Sequence, residues 1–257
     1  MNPLAALFHR NSWNVFRRDF MAWQKYAFSS VAINIFEPMA WFLAIGFGLG
    51  AYLTLGKSSL VQFIAPGMLG LAALNAATFD ACWGAYERLN FNGVYESMVT
   101  APVDPLEIAA GEYLWQAFRA TLYGAIFLVV IAAFGLVHSW WSLLSLPLLA
   151  LCGVLFAMPG LAVAFLVKTQ EHLFYYFSFV TTPMAMIGGV FFPLDKLPRW
   201  LQDIAWWTPL YHSVQIFRAL VQGTPSVGLL WDLLWLVVAI ALLAYVPVPF
   251  LRNKLAR

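Results

Sequence analysis

The stretch of sequence that decides the fold lies at 120–167 and reads ATLYGAIFLVVIAAFGLVHSWWSLLSLPLLALCGVLFAMPGLAVAFLV. These 48 residues, between Arg119 and Lys168, carry no formal charge. A helix needs about 20 apolar residues to cross the hydrocarbon core of a bilayer. The stretch is too long for one such helix. It therefore predicts two membrane spans, at about 115–137 and 142–167, joined by a turn at His138-Ser139-Trp140-Trp141.

The composition of the whole chain also indicates a membrane protein. Of its 257 residues, 62% are hydrophobic and only 10% are charged, and the mean hydropathy is +0.76. Soluble domains are about 25% charged, and a soluble fold of this length could not hide so much apolar surface from water. A net charge of +2 is too small for binding nucleic-acid phosphates. The composition excludes a soluble enzyme, a disordered chain and a nucleic-acid-binding protein.

Gaps between charges predict four more spans, at about 29–54, 60–86, 172–192 and 232–251. The predicted fold class is an all-α polytopic membrane protein with six transmembrane helices, forming a single transmembrane domain over 1–257. Because six spans place both termini on one side, the positive charges can orient the chain. Ten of the 14 Lys and Arg residues fall on the side of the termini, so the positive-inside rule predicts cytosolic termini.

The segment 193–225 differs from the spans. Two charge-free pieces begin in this segment, at 204–217 and at 219–231, and Arg218 separates them. Each piece is too short to cross a bilayer. Thr208-Pro209 has the residue types of a helix start, and Gly223 those of a helix stop. We expect a pair of re-entrant helices here, on the outer side of the membrane.

An amphipathic helix is predicted at 8–26, before the first span. Its aromatic residues recur every three or four positions, and basic residues lie largely around the other face. Such a helix lies at the lipid surface of an anionic inner leaflet. Two interpretations stay open, a topology anchor or a helix that also packs against a cytosolic partner. The residues concerned are Trp13, Phe16, Arg17, Arg18, Phe20 and Trp23.

The longest cytosolic loop is predicted at 87–113. Val94 to Thr100 can form a short helix that Pro102 ends, and Asp104-Pro105-Leu106-Glu107 has the pattern of a capped helix start. A short ordered helix between two spans can act as a lever, although an ordinary connecting elbow is the alternative.

Few charged residues fall inside the predicted spans. Asp80, Arg119 and Glu37 all lie near the cytosolic face, where we expect them to reach the polar membrane surface. Glu37 precedes Pro38, which bends a helix, so a structural or gating role or a contact with substrate is possible. The sequence has no catalytic triad and no cluster of metal-ligating residues, so we assign no catalytic or metal-binding residue.

Several motifs together resemble one family. The outer segment contains 188–194 (GGVFFPL), 197–202 (LPRWLQ) and 207–212 (WTPLYH), followed by Arg218-Ala219. A second block contains 63–67 (FIAPG), 100–103 (TAPV) and 111–115 (GEYLW). This pattern resembles the ABC-2-type permeases, the transmembrane subunits of ATP-binding-cassette exporters, and in particular their NodJ-like branch.

The resemblance implies a homodimer of this chain with two copies of a separate ABC ATPase, in the bacterial inner membrane. The ATPase, not this chain, would bind ATP and Mg²⁺. The loop at 94–102 would be the coupling helix seated in the ATPase, with Val94, Tyr95, Glu96, Ser97, Met98, Thr100 and Pro102 as its residues. The re-entrant segment would include Phe191, Phe192, Pro193, Leu194, Pro198, Trp200, Pro209, His212 and Arg218. Spans one and five would flank the transport path, with Glu37, Pro38, Trp41, Phe177 and Met184 as path or gating candidates.

The function that this resemblance implies is export of a glycolipid, lipo-oligosaccharide or polysaccharide. The aromatic-rich spans suit a large amphipathic substrate. Export of a hydrophobic drug or antibiotic is an alternative. An intramembrane lipid-modifying enzyme is less favoured, because it would need clustered acidic residues or a metal site. A membrane scaffold without transport is also less favoured, because it would not need the ordered loop.

Overall fold

The computed structural model describes residues 6–50, 54–55 and 58–256. They are helical apart from turns, loops and one antiparallel pair of two-residue strands, β1 (Thr54–Leu55) and β2 (Ser58–Ser59). The helices are α1 (Arg10–Gln24), α2 (Ala27–Trp41), α3 (Leu60–Phe79), α4 (Ala85–Asn90), α5 (Val94–Val99), α6 (Pro105–Ala133), α7 (Ser145–Leu166), α8 (Glu171–Tyr176), α9 (Thr182–Ile187), α10 (Arg199–Trp206), α11 (Pro209–Gln222), α12 (Leu229–Leu243) and α13 (Pro247–Leu255). Wider π-helical turns occur at Phe42–Leu49, Asp80–Gly84 and Phe177–Thr181, and 3₁₀ turns at Trp140–Leu144 and Leu194–Lys196.

Within the described residues, five helices are long and apolar enough to cross a membrane: Ala27–Gly48, Leu60–Asn90, Pro105–Ala133, Trp140–Leu166 and Leu229–Leu255. They correspond to predicted spans one to four and six. The predicted span at 172–192 falls on α8, a π-helical turn and α9, which have 6, 5 and 6 residues. A count of six spans therefore stays a prediction. Residues 51–53, at the predicted end of span one, lie outside the described part of the chain.

Three of these helices, α3, α6 and α7, form the centre of the bundle. Glycine allows α6 and α7 to pack closely, because a Cβ atom at Gly153 would lie 2.6 Å from the carbonyl oxygen of Gln116. α11 packs against α3 in the same way, since a Cβ at Gly70 would lie 3.0 Å from the Val214 side chain. The buried side chains of this centre include Ile64, Met68, Phe127, Phe156 and Phe217.

The bundle has two distinct ends. At one end α1 and α13 lie near the loop between α5 and α6, with the Asn11 amide donating to the Pro102 carbonyl at 3.3 Å. At the opposite end the loop before α7 meets α11, where the His138 backbone N–H donates to the Val221 carbonyl at 3.0 Å. We call these the Tyr95 end and the Arg218 end, after a residue at each.

Helix α1 lies in the predicted amphipathic segment and packs against α6. The Phe20 and Phe118 rings meet edge to face at 5.4 Å, and the Trp23 indole donates to the Tyr123 hydroxyl at 3.1 Å. Because part of the aromatic face is used in this way, α1 is attached to the bundle as well as amphipathic. Its location at the membrane surface stays a prediction.

Candidate functional site

The candidate site starts at α5, the short helix between the second and third spans. α5 follows Gly93, whose φ of 57° lies in the left-handed region that glycine readily adopts. Tyr95 is fully buried, and its hydroxyl donates to Oε1 of Glu112 on α6 at 2.6 Å. Burial holds the pKa of Tyr95 well above its usual value, so the hydroxyl keeps its proton. The hydroxyl therefore joins the loop helix to a membrane helix.

Arg88, on α4, connects the same two helices to the second span. Its Nε donates to the Tyr95 hydroxyl at 3.1 Å. Its Nη2 donates to Oε2 of Glu112 at 2.7 Å and to Oδ2 of Asp80 at 3.2 Å. One guanidinium thus contacts groups from three segments through charge-assisted hydrogen bonds.

Asp80 is the second centre of this arrangement. Arg119 Nη1 lies 2.5 Å from its Oδ1, and the Gln116 amide donates to its Oδ2 at 2.6 Å. The Trp115 indole also donates to Oδ2, at 3.0 Å. The expectation that Asp80 and Arg119 reach the membrane surface is therefore wrong. They pair inside the protein because a buried charge is stable only with a partner.

Helix α1 adds one further carboxylate and one further arginine. Asp19 is buried and forms an ion pair with Arg18, and Arg88 Nη1 lies 3.9 Å from Asp19 Oδ1. Burial, together with the nearby negative charge of Glu112, raises the pKa of Asp19 to about 7. The charge of Asp19 therefore changes near neutral pH.

We call this set of buried and half-buried polar side chains the charge network. It joins α1, the second span, α5 and α6, and it contains three carboxyl groups and three arginines. Removing one member of a buried pair leaves an uncompensated charge and typically costs about 3–5 kcal/mol. The network therefore holds the four segments as one unit. Its members are Arg18, Asp19, Asp80, Arg88, Tyr95, Glu112, Gln116 and Arg119.

A second set of contacts fixes α1 to the start of α6. Asp104 and Glu107 form the capping box that the sequence predicts. Glu107 also accepts a hydrogen bond from the Asn11 amide at 2.8 Å and contacts the His9 ring at 2.5 Å. The loop that carries α5 is therefore held on both of its sides.

The predicted coupling residues divide into two groups. Tyr95 is buried in the charge network and is not available at the protein surface. Val94 and Met98 are half-buried, whereas Glu96, Ser97, Thr100 and Pro102 are exposed. α5 thus has one anchored face and one free face.

The predicted path residues lie at different depths. Glu37 is exposed on α2, and its carboxylate makes no hydrogen bond or ion pair with any described residue. Pro38 and Met184 are buried, and Trp41 is half exposed beside the Phe191 ring at 6.3 Å. Phe177 packs against Trp83 at 4.7 Å. The structure does not bring these five residues into one cluster.

The segment predicted to be outer, 193–225, lies at the Arg218 end. Pro209 begins α11 after the Thr208 cap, and Gly223 ends it, as predicted. Phe191, Pro193 and Leu194 are half-buried, and Phe192, Pro198 and Trp200 are exposed. The Arg218 side chain donates to the Gly189 carbonyl at 2.8 Å, and burial lowers its pKa to about 10, so it stays charged at neutral pH.

His212 is buried and uses both ring nitrogens. Nδ1 lies 2.7 Å from Oδ1 of Asp232 on α12, and Nε2 lies 2.7 Å from the Trp206 carbonyl on α10. A carbonyl oxygen only accepts, so Nε2 carries a proton. The ring therefore ties α10, α11 and α12 together.

Sequence reasoning missed most of the charge network. Glu112, Gln116 and Arg119 recur at four- and three-residue spacing, which places them on one face of α6. That polar stripe within an apolar span was a usable signal. Within the described residues, no three His, Cys, Asp or Glu side chains gather as a metal site requires.

Comparisons with known proteins agree with these features. The ABC-2 type transporter family model matches residues 10–221. The chain is 34% identical over 245 residues to Nodulation protein J of Rhizobium leguminosarum bv. trifolii, covering 95% of this chain and 93% of the relative. It is 30% identical over 164 residues to Inner membrane transport permease YadH of Escherichia coli (strain K12), covering 62% of each chain. No solved structure matches the chain significantly.

The helical bundle and these matches define a membrane transport subunit. The chain belongs to the ABC-2 type transporter family. Permeases of this family work with an ATPase partner and usually dimerise.

Proposed function

We propose that this chain is the permease subunit of an ATP-driven exporter that moves a glycolipid, lipo-oligosaccharide or polysaccharide across the bacterial inner membrane. A homodimer of the chain binds two copies of a separate ABC ATPase, which binds ATP and Mg²⁺. The observation that carries this proposal is the bond from Tyr95 on α5 to Glu112 on α6. It gives a short cytosolic helix a direct polar link to the spans.

In this proposal the free face of α5 seats in the ATPase. Glu96, Ser97 and Thr100 are exposed on this face or directly after the helix, where a partner protein can contact them. When the ATPase closes on ATP, it moves α5, and Tyr95 transmits the movement to Arg88 and Glu112. A buried polar network suits this role because its directional hydrogen bonds fix the positions of the segments that it joins.

The transport path in this proposal lies between two copies of α2. This helix is poorly buried in the single chain, with exposed Ile33 and Phe36 beside Glu37. A carboxylate facing hydrocarbon is costly, so a helix face that carries one favours a water-filled path or a protein partner. Six spans, cytosolic termini and an outer re-entrant pair complete the proposed topology.

The first experiment captures the tagged chain from its native membrane in mild detergent and identifies retained proteins by mass spectrometry. An ABC ATPase in equal amount to the chain is the expected result. Single cysteines at Ser97→Cys or Thr100→Cys then crosslink to that ATPase, and Trp200→Cys, exposed at the opposite end, is the matched control. Both native cysteines are buried, which keeps the background low. Absence of an ATPase from both measurements contradicts the proposal.

Substrate class is tested separately, with the chain and its ATPase in inverted membrane vesicles. We expect ATP-dependent uptake of a glycolipid extract from the native membrane. Uptake of a hydrophobic drug without uptake of glycolipid would contradict the glycan assignment and favour a drug as the substrate.

A further inference from the structure

A cavity of about 480 Å³ opens at the Arg218 end of the bundle. The loop after α9 forms one wall, α10 and α11 form two others, and the Phe63 ring of α3 closes the base. The volume lies within the range of small-molecule sites, about 300–1,000 Å³. None of the contacts that form the charge network involves this cavity, which lies at the opposite end of the protein.

Arg218 is the charged group at the base of the cavity. Its guanidinium carbon lies 4.0 Å from the centre of the Phe63 ring, which fixes the planar group in place. Nη2 donates to the Gly189 carbonyl at 2.8 Å, and Nη1 makes no hydrogen bond with described residues, whereas Nε is buried and out of reach of a ligand. Arg218 forms no ion pair within the described part of the chain, so the guanidinium retains donors for a ligand.

Uncommitted polar groups surround this arginine. Gln215 and the Tyr211 hydroxyl line the cavity and make no side-chain hydrogen bond with described residues. Gln202 donates to the Leu197 carbonyl at 2.8 Å, which leaves its amide oxygen free to accept. The carboxylates of Asp195 and Asp203 stand at the exposed rim. Donors, acceptors and acids are thus present together.

An aromatic surface lies next to these groups. Trp206 lines the cavity with 45% of its surface exposed, and Tyr211 stands beside it on the next helix. A flat aromatic ring offers its face to the apolar C–H side of a sugar ring, while amides, carboxylates and arginine bond the hydroxyls. The lining carries one arginine and two rim carboxylates, and one of those carboxylates pairs with Lys196 at 3.6 Å. The remaining charges of the cavity therefore balance, which suits a neutral ligand better than an anion.

We propose that this cavity binds one neutral sugar unit of the exported substrate where it leaves the transport path. The inference rests on the proposed function, because it assigns to the glycan part of that substrate a site on the outer side. Trp206 stacks on the sugar ring, and Gln215, Tyr211 and Arg218 bond its hydroxyls. The Asp203 carboxylate accepts a further hydroxyl at the rim.

The test uses the purified full chain in lipid nanodiscs without the ATPase. The probes are maltotetraose, cellotetraose and chitotetraose, with tetragalacturonic acid and inorganic phosphate as anionic comparisons. Saturation-transfer NMR detects contact and titration gives the affinity. We expect at least one neutral tetrasaccharide to bind, and Trp206→Ala and Gln215→Ala each to weaken it about tenfold. Trp207→Ala is the matched control, since Trp207 is exposed beside Trp206 but does not line the cavity.

Three results would overturn this inference. The first is that no neutral tetrasaccharide binds. The second is that Trp207→Ala weakens tetrasaccharide binding as much as Trp206→Ala does. The third is that phosphate or the anionic sugar binds more tightly than the neutral sugars. Because the assay contains no ATPase, its outcome is separate from that of the proposed function. Sugar binding without a captured ATPase supports the cavity and contradicts the exporter, and an ATPase without sugar binding does the reverse.

Discussion

The substitution Tyr95→Phe tests the proposed coupling with the smallest possible change. It removes one oxygen atom and leaves the aromatic ring, which packs edge to face with Phe165 at 5.8 Å. The lost hydroxyl donates to Glu112 at 2.6 Å and accepts from Arg88 at 3.1 Å. Hydrogen bonds to charged groups contribute about 1.5–3 kcal/mol each. Because both contacts share one oxygen, their losses overlap, and we expect the link between α5 and the spans to weaken by about 3 kcal/mol.

A loss of this size is large enough to change the equilibrium between two conformations of the protein. A difference of about 1.4 kcal/mol changes an equilibrium constant tenfold, so about 3 kcal/mol is enough to separate movement of α5 from movement of the spans. The assay is the chain with its ATPase in proteoliposomes, with ATP hydrolysis and substrate uptake measured in the same sample. We expect hydrolysis to continue while the amount transported per ATP falls severalfold.

Tyr245→Phe is the control, because Tyr245 is exposed and its hydroxyl makes no hydrogen bond with described residues. The control must keep wild-type transport per ATP. If Tyr95→Phe also keeps it, with an unchanged unfolding temperature, then the network does not carry the coupling and the reasoning is refuted.

Three further changes test other parts of the structure. Asp19→Asn tests the pH dependence of stability. The pKa of the Asp19 carboxyl is raised to about 7, so the folded wild-type protein holds a proton that the unfolded chain loses near pH 4. Wild-type stability therefore falls as pH rises from about 4 to 7, by at most about 4 kcal/mol. The Asn variant lacks this decline, which thermal unfolding across that pH range measures; parallel curves would contradict it. Glu37→Cys should react with a membrane-impermeant maleimide faster than Val129→Cys, which is exposed on α6, and equal rates would argue against a path there. His212→Phe should destabilise the protein by about 3–5 kcal/mol and, combined with Asp232→Asn, by less than the sum; additive losses would exclude the pair.

Helix locations were the most predictable part of the fold. The charge-free stretches located the five spanning helices because a bilayer sets one length for every span. Local turn chemistry located the caps at Asp104 and Thr208, since those side chains satisfy backbone groups next to them. Composition alone does not decide whether 172–192 crosses the membrane. The helical segment there is shorter than the five spanning helices and contains a π-helical turn.

The charge network was harder to predict because its partners are distant in sequence. Glu112 is 17 residues from Tyr95, and Asp80 is 39 residues from Arg119, so no local spacing joins them. Tyr95 illustrates the consequence. The sequence indicated that α5 is a functional helix, but only the packing separates the buried anchor Tyr95 from the exposed Glu96.

The π-helical turn at Asp80–Gly84 explains how Asp80 and Arg88 come to lie on one face of the second span. In a regular α-helix each residue turns by about 100°, so Arg88 would lie about 80° around the helix from Asp80. A π-helical turn accommodates one extra residue, and the pair then behaves as two residues seven apart, about 20° from alignment. Asp80 and Arg88 consequently meet on one face, 3.2 Å apart, next to Glu112. π-helical turns are frequent at functional sites, and those at Phe42–Leu49 and Phe177–Thr181 adjoin the path candidates Trp41 and Phe177. The same local widening thus occurs at the proposed coupling site and in both helices proposed to flank the path.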